Sequence, residues 1–151
     1  MRIAARSSNM NTDLAAQKAI DRLEKDGFDA LTETDKTLAT VWLFVAGVQN
    51  GGFAAYFASH RGNVAFYAPA ALRAIGAKQL AEIASDANAV FGHADPPRDY
   101  STRRALALAF DEATRRALDS ADTRFYACSE DCDELLELVL ARDHQPSAQE
   151  N

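Results

Sequence analysis

The sequence predicts an all-α fold, a single compact bundle of about seven helices with short connections. Apolar residues recur three and four positions apart in several segments, which is the spacing of one face of an α-helix. No run alternates apolar and polar residues as a half-buried strand would. Glycines and prolines such as Gly27, Gly76 and the Pro96-Pro97 pair separate the helical segments. These observations together favour a helical bundle.

The helical domain is predicted to cover residues 12–143, with residues 1–11 and 144–151 as flexible termini. A chain of 151 residues has the size of one domain and can bury about 70% of its unfolded surface. Its longest strongly apolar run, Val41 to Val48, is far shorter than the ~18 residues that span a bilayer. The N-terminus has arginines but lacks the apolar segment of a signal peptide. We therefore expect a cytoplasmic protein with no membrane contact.

The first two helices have recognisable ends. Thr12 is predicted to cap the first helix and Gly27 to end it. Thr32 is predicted to cap the second, with Asp35 three residues later in a weak form of the capping box. The interior of the second helix, "LATVWLFVAGV", is apolar on nearly every side. Such a helix belongs at the centre of a bundle.

The second helix ends at a predicted structural corner formed by Asn50, Gly51, Gly52, Phe53, Tyr56 and Phe57. A phosphate-binding loop would need a lysine and a serine or threonine after the glycines, and a dinucleotide fingerprint would need a preceding strand. Both are missing. We therefore expect Gly51 to have a positive φ and to end the helix. The three aromatic side chains, at helical spacing, should be buried, and Asn50 should make a backbone hydrogen bond.

Five further helices complete the prediction. After a third helix that stops near Gly62, a fourth is expected from Pro69 and a fifth from Ala77. Ser101 is predicted to cap a sixth helix, and the last helix is expected to begin near Ser129. The buried stripe of the sixth helix is predicted to contain Leu106, Ala109, Phe110, Ala113 and Ala117. The solvent-exposed face of this helix is expected to carry the ion pairs Asp111–Arg115 and Glu112–Arg116.

The net charge of −6 is unevenly distributed along the chain. Residues 1–50 contribute −1 and residues 51–118 contribute +2, whereas residues 119–151, with two basic and nine acidic groups, contribute −7. This distribution argues against direct binding of nucleic acid and favours a basic protein partner. Four arginines that we expect on the surface would dilute the negative charge: Arg103, Arg104, Arg115 and Arg116.

The last predicted helix carries an acidic face. Glu130, Asp133, Glu134 and Glu137 follow the i, i+3, i+4, i+7 spacing, and Cys132, Leu135, Leu136 and Val139 repeat that spacing on the opposite, core-facing side. The predicted ridge is about 10 Å long at 1.5 Å per residue, a length in which one DNA strand carries about three charges. Asp119, Asp122 and Asp131 could extend it. The alternative is an acidic face that is simply solvated, with carboxylates near a helix start interacting with its dipole.

The residues that could support catalysis or metal binding are few. Cys128 and Cys132 lie four positions apart, but no second cysteine or histidine pair completes a metal site, and buried thiols are the expected role. His60 follows Ser59 directly, and neighbours along a helix do not face each other as a dyad would. His93 lies in a proline-bounded loop and His144 in the tail. We therefore expect no metal, no cofactor and no enzymatic activity.

Three segments, "NGGFAAYF", "ALRAIGA" and "ALDSADTRFY…DELLEL", resemble the DNA-mimic protein family, which was first described as a domain of unknown function. The resemblance covers residues 31 to 140, and Asn50 to Phe57 is its most specific part. It implies an all-helical cytoplasmic bacterial protein that forms a homodimer. Its carboxylates would imitate DNA phosphates and occupy a DNA-binding protein. The resemblance carries over no catalytic residues.

Three hypotheses about function follow. The chain is a DNA mimic, an immunity protein or antitoxin that neutralises a toxin, or an enzyme. A DNA mimic should carry carboxylates in two rows across a groove-like width, whereas an immunity protein needs one patch that matches its toxin. A concave pocket that collects Ser59, His60 and a carboxylate would favour the enzyme.

Overall fold

Eight α-helices and three short 3-10 segments make up the computed structural model, which describes residues 10–93 and 95–143. The α-helices are α1 Met10–Asp26, α2 Glu33–Gln49, α3 Gly52–Phe57, α4 Ala68–Ala74, α5 Lys78–Asn88, α6 Tyr100–Leu108, α7 Glu112–Ala127 and α8 Cys132–Asp143. The 3-10 segments are Phe28–Ala30, His60–Tyr67 and Ala89–Phe91. The described residues contain no strand, and the predicted all-α fold is confirmed. The expected flexible ends lie outside the described residues, except that Met10 and Asn11 form the start of α1.

The ends of α1 and α2 follow local sequence signals. Gly27, with φ of +90°, donates its N–H to the carbonyl of Leu23 and ends α1, as predicted. The Thr32 hydroxyl accepts from the N–H of Asp35 at 3.1 Å and caps α2, also as predicted. The carboxylate of Asp35 instead pairs with Arg22 of α1 at 2.7 Å. The prediction for Thr12 was wrong, since α1 begins two residues before it.

Helix α2 lies at the centre of the bundle, as its apolar interior predicts. Most of its side chains are buried, including Leu38, Val41, Phe44 and Val48. It packs against α1, α3, α4 and the 3-10 helix His60–Tyr67. Because α2 is covered on several sides, it has no clear polar face. None of the described helices has the length and apolar character needed to cross a bilayer.

The corner between α2 and α3 has the predicted geometry. Gly51 has φ of +120°, Phe53, Tyr56 and Phe57 are fully buried, and the backbone N–H of Asn50 donates to Ala46 O at 3.1 Å. The three rings pack with Phe44 of α2 and Phe125 of α7 at centroid distances of 5.5–6.4 Å. This aromatic cluster joins three helices, so the corner is a structural element.

The predicted sixth helix is two helices, α6 and α7, which raises the count from seven to eight. The Asp111 carboxylate accepts from the N–H of Thr114 at 2.8 Å and caps a new helix, so it is not in the expected pair with Arg115. The break also overturns the predicted buried stripe. Leu106 is 47% exposed, and the alanines predicted to be buried with it are exposed. Leu118, Ala121 and Phe125 are the buried side chains of α7 instead.

Arg103 of α6 is a fully buried cation. Its five N–H groups donate at 2.6–3.2 Å to five oxygens, the carbonyls of Phe57, Ser59, Pro97 and Arg98 and Oδ1 of Asn63. A guanidinium has five N–H donors, and here each one has an acceptor. The prediction that Arg103 dilutes the negative surface was therefore wrong.

Space for this guanidinium depends on Gly62. A Cβ at Gly62 would lie 2.5 Å from the carbonyl oxygen of Tyr56 and 2.9 Å from Nε of Arg103. Burial lowers the pKa of Arg103, but arginine remains charged in proteins. Apart from Arg103, only Ala107 of α6 is buried. Helix α6 is therefore held in place mainly by polar contacts of one side chain.

Arg103→Lys should destabilise the protein by about 2–4 kcal/mol. Lysine has three donors instead of five, and each buried acceptor left without a donor costs about 1–3 kcal/mol. The matched control is Arg104→Lys, because Arg104 is exposed and makes one hydrogen bond, to Ala58 O. The control should change stability by no more than about 0.5 kcal/mol in urea denaturation. Equal stability of the two variants would contradict this role of Arg103.

Candidate functional site

The seven carboxylates predicted to bind a partner lie on α7, on the connection that follows it, and on α8. We call them the acidic surface: Asp119, Asp122, Glu130, Asp131, Asp133, Glu134 and Glu137. Helix α7 packs against α3 and α5, whereas α8 packs against α1. The acidic surface therefore extends over two helices with different neighbours and is not a single straight row.

Asp122 connects the acidic surface to the aromatic corner. Its Oδ1 accepts from the N–H of Phe53 at 2.7 Å, so a carboxylate of α7 caps the N-terminus of α3. A Cβ at Gly52, where φ is +88°, would lie 2.5 Å from Oδ2 of Asp122. Partial burial raises the pKa of Asp122, the Phe53 N–H lowers it, and the nearby Asp119 raises it. Gly52 is thus needed both for its backbone conformation and for the approach of this carboxylate.

Glu130 has a similar role at another helix. Its two oxygens accept from the N–H groups of Gln79 and Leu80 at 3.0 and 2.8 Å, which caps the N-terminus of α5. Helix α8 begins at Cys132 and not near Ser129 as predicted, so Glu130 lies before the helix. It therefore does not share a helical face with the later carboxylates.

Two more members of the acidic surface, Asp131 and Asp133, lie at the start of α8. Oδ1 of Asp131 accepts from the N–H of Glu134 at 3.2 Å, as a capping residue does. Asp133 is only 7% exposed. The predicted exposed ridge of Glu130, Asp133, Glu134 and Glu137 was therefore wrong, since its first member lies off the helix and its second is buried. The core-facing side was predicted correctly, with Cys132 and Leu136 buried and Leu135 and Val139 packed against the core.

The exposed carboxylates of the acidic surface are Asp119 on α7 and Glu134 on α8, and Glu137 is half-buried. Glu137 lines a groove of about 540 Å³ between α1 and α8, together with Lys18. Arg124 lies among the acidic residues of α7, but it pairs with Asp86 of α5 at 2.8 Å. This pairing leaves less positive charge to oppose the acidic surface.

Cys128 and Cys132 are buried free thiols, as predicted. Burial raises the pKa of both, and the carboxylate of Glu130 also raises it. Thiols in this environment are poor nucleophiles. Among the described residues, no three His, Cys, Asp or Glu side chains are placed to hold a metal ion.

A groove beside the 3-10 helix His60–Tyr67 collects Ser59, His60 and Glu24, the combination that would favour an enzyme. The Ser59 hydroxyl, however, donates to the carbonyl of Tyr56 at 2.9 Å. The His60 ring is stacked on Tyr100 with 3.7 Å between centroids. The serine proton is thus directed at the backbone and not at the imidazole, which is not the arrangement of a nucleophile and its base.

Sequence reasoning missed the capping roles of Asp122 and Glu130 because their partners are 69 and 50–51 residues away. Local periodicity contains no information about contacts at that separation. The start of α8 did have a local signal, since Asp131 with Glu134 three residues later has the spacing of a capping box.

A family model described as DMP19-like protein matches residues 29–144 of this chain. No curated protein and no solved structure matches it. The matched segment includes the corner, the buried Arg103 and the whole acidic surface.

Glu130→Ala should destabilise the protein by about 1–2 kcal/mol, because it removes the carboxylate that caps α5. Glu134→Ala is the matched control, since this side chain is exposed and should contribute no more than about 0.5 kcal/mol. Thermal and urea denaturation of the two variants measure the difference. If both unfold at the same denaturant concentration, the capping role of Glu130 is wrong.

Proposed function

The chain belongs to the DMP19-like protein family, and from this premise we propose that it is a non-enzymatic, protein-binding regulator. In this proposal it acts as a DNA mimic in the bacterial cytoplasm. Its acidic surface occupies the DNA-binding surface of a basic protein.

One observation carries the proposal, namely the excess of carboxylates after residue 118. Residues 119–151 have nine acidic and two basic groups, and one of the two basic groups, Arg124, already pairs with Asp86. A concentrated field of one sign attracts partners of the opposite sign and accelerates their association.

The capping carboxylates support this role. Backbone N–H groups hold the carboxylates of Asp122, Glu130 and Asp131 in position. A side chain that is already immobilised loses little further entropy when a partner binds. Rigid charges at fixed positions resemble DNA phosphates better than mobile surface carboxylates do. Asp119 and Glu134 then supply the exposed charge.

We also propose a homodimer that forms through the groove between α1 and α8. Leu14 lines this groove and is 55% exposed. Lys18 and Glu137 lie on the same groove with opposite charges. In a two-fold interface each copy contributes both members of such a pair, so the surface is self-complementary.

Reversing both exposed charges, Asp119→Lys with Glu134→Lys, should slow association with the partner by about tenfold at low salt, because complementary charge acts mainly on encounter. The partner would be recovered from the native cell, identified and purified. Stopped-flow kinetics at several salt concentrations would give the rate. Duplex DNA should compete with this protein for the partner.

The control for this experiment is Asp21→Lys with Asp26→Lys, which makes the same change of charge at exposed positions on α1 that do not line the groove with Glu137. Its association rate should stay within about twofold of the parent, because screening limits exposed charges to a range of about 8 Å at physiological salt. Equal effects of the two double variants would contradict a localised acidic surface. A partner that binds duplex DNA and this protein together would contradict mimicry, and a partner without DNA affinity would favour the immunity-type alternative.

Light scattering at micromolar concentration should report about twice the 16.4 kDa mass of one chain. Leu14→Glu should yield monomers, because it places a charge in the proposed interface. Leu108→Glu, at a site on α6 that is 59% exposed, should leave the dimer intact. A monomeric parent protein, or a dimer that persists in Leu14→Glu, would show that the proposed interface is wrong.

A further inference from the structure

A groove of about 790 Å³ lies between α1, α2 and the 3-10 helix His60–Tyr67. Its apolar lining includes Leu23, Leu43 and Phe66, which are all partly exposed. Its polar lining includes Arg61, Asn63 and Arg98. The volume of this groove and the composition of its lining are both typical of ligand-binding sites, which are mainly apolar with a few convergent polar groups.

Asn63 presents a donor whose orientation is fixed by the buried cation. Its Oδ1 accepts from Nη2 of Arg103 at 2.7 Å. The amide orientation that satisfies this bond leaves the NH₂ group of Asn63, a double donor, free to face a ligand. The amide is thus held in place before any ligand arrives.

The two arginines add positive charge. Arg61 is exposed and makes no ion pair among the residues that the structure describes. The guanidinium of Arg98 lies 4.0 Å from the centroid of Phe66, and its contact with Asp29 is long at 3.3 Å and solvent-exposed. Among the described residues, Glu24 is the one carboxylate that lines the groove. The groove therefore has more hydrogen-bond donors and positive charges than acceptors and negative charges, and these polar groups lie beside its apolar lining.

We infer that this groove binds an acidic peptide segment of a protein partner. A carboxylate of the peptide pairs with Arg61 and accepts from the Asn63 amide, while a neighbouring apolar side chain packs on Leu43 and Phe66. Nucleic acid fits less well, because a phosphate chain repeats its charge along its whole length, whereas the groove has two arginines with Glu24 opposing them and suits a single carboxylate beside an apolar side chain. The groove is independent of the acidic surface, so the inference does not depend on the proposed function.

The test is an NMR titration of the ¹⁵N-labelled full chain with the synthetic peptide (Glu-Leu)₃, whose carboxylates alternate with apolar side chains. Binding with a Kd at or below about 1 mM, the weak end of specific affinities, should shift the amide signals of residues 59–66 and of Leu43. The isosteric peptide (Gln-Leu)₃ should bind at least tenfold more weakly, because it lacks the charge.

Arg61→Glu should weaken binding of (Glu-Leu)₃ at least tenfold, whereas Arg116→Glu, the same exchange at an exposed position on α7, should change it less than twofold. Circular dichroism melts would establish that both variants are folded. Three results would overturn the inference: no shifts up to about 5 mM peptide, equal binding of the two peptides, or equal effects of the two variants. Duplex DNA that shifts the same signals more strongly than the peptide would also overturn it, in favour of a nucleic-acid site.

Discussion

The hydrogen bonds of the Arg103 guanidinium are the interaction on which the position of α6 depends. Burying a charge away from water costs several kcal/mol, and the structure offsets that cost with five hydrogen bonds to oxygens in two stretches of the chain, residues 57–63 and 97–98. Helix α6 buries little else, and its leucines at positions 106 and 108 remain exposed. The position of α6 is therefore determined by the directions of carbonyl groups and not by apolar burial.

Charged side chains serve a similar purpose at two other places in the fold. The six-residue α3 is too short to be stable alone, and the carboxylate of Asp122, from a helix distant in sequence, accepts from the N–H of Phe53 in its first turn. Glu130 does the same for α5. Asp122 and Glu130 thus fix the ends of helices that are distant from them in sequence. The aromatic cluster of Phe44, Phe53 and Phe125 packs beside the end that Asp122 fixes.

The difference between local and long-range contacts explains which features of the fold could be predicted from the sequence. The cap at Thr32, the stop at Gly27 and the corner at Gly51 depend on residues within a few positions, and sequence reasoning found them. The break between α6 and α7 also has a local signal, Asp111, but the apolar spacing that continues through it favoured one long helix. Contacts such as Arg103 with Phe57, 46 residues apart, leave no local pattern. The exposure of the individual carboxylates of the acidic surface was therefore not predicted.

The capping roles bear directly on how an acidic surface could imitate DNA. Phosphates are held at regular positions by a covalent backbone, whereas surface carboxylates ordinarily move among rotamers and lose entropy on binding. Asp122, Glu130 and Asp131 are held by backbone N–H groups of helices, and in the proposed mimic the fold would take the place of the sugar–phosphate chain for these three. In the proposed function, stability and recognition are linked at the caps, because removing a capping carboxylate would change both. They are separable at Asp119 and Glu134, where the charge faces solvent and no described hydrogen bond depends on the side chain. A mimic built in this way would rely on its caps for geometry and on its exposed carboxylates for the rate of encounter.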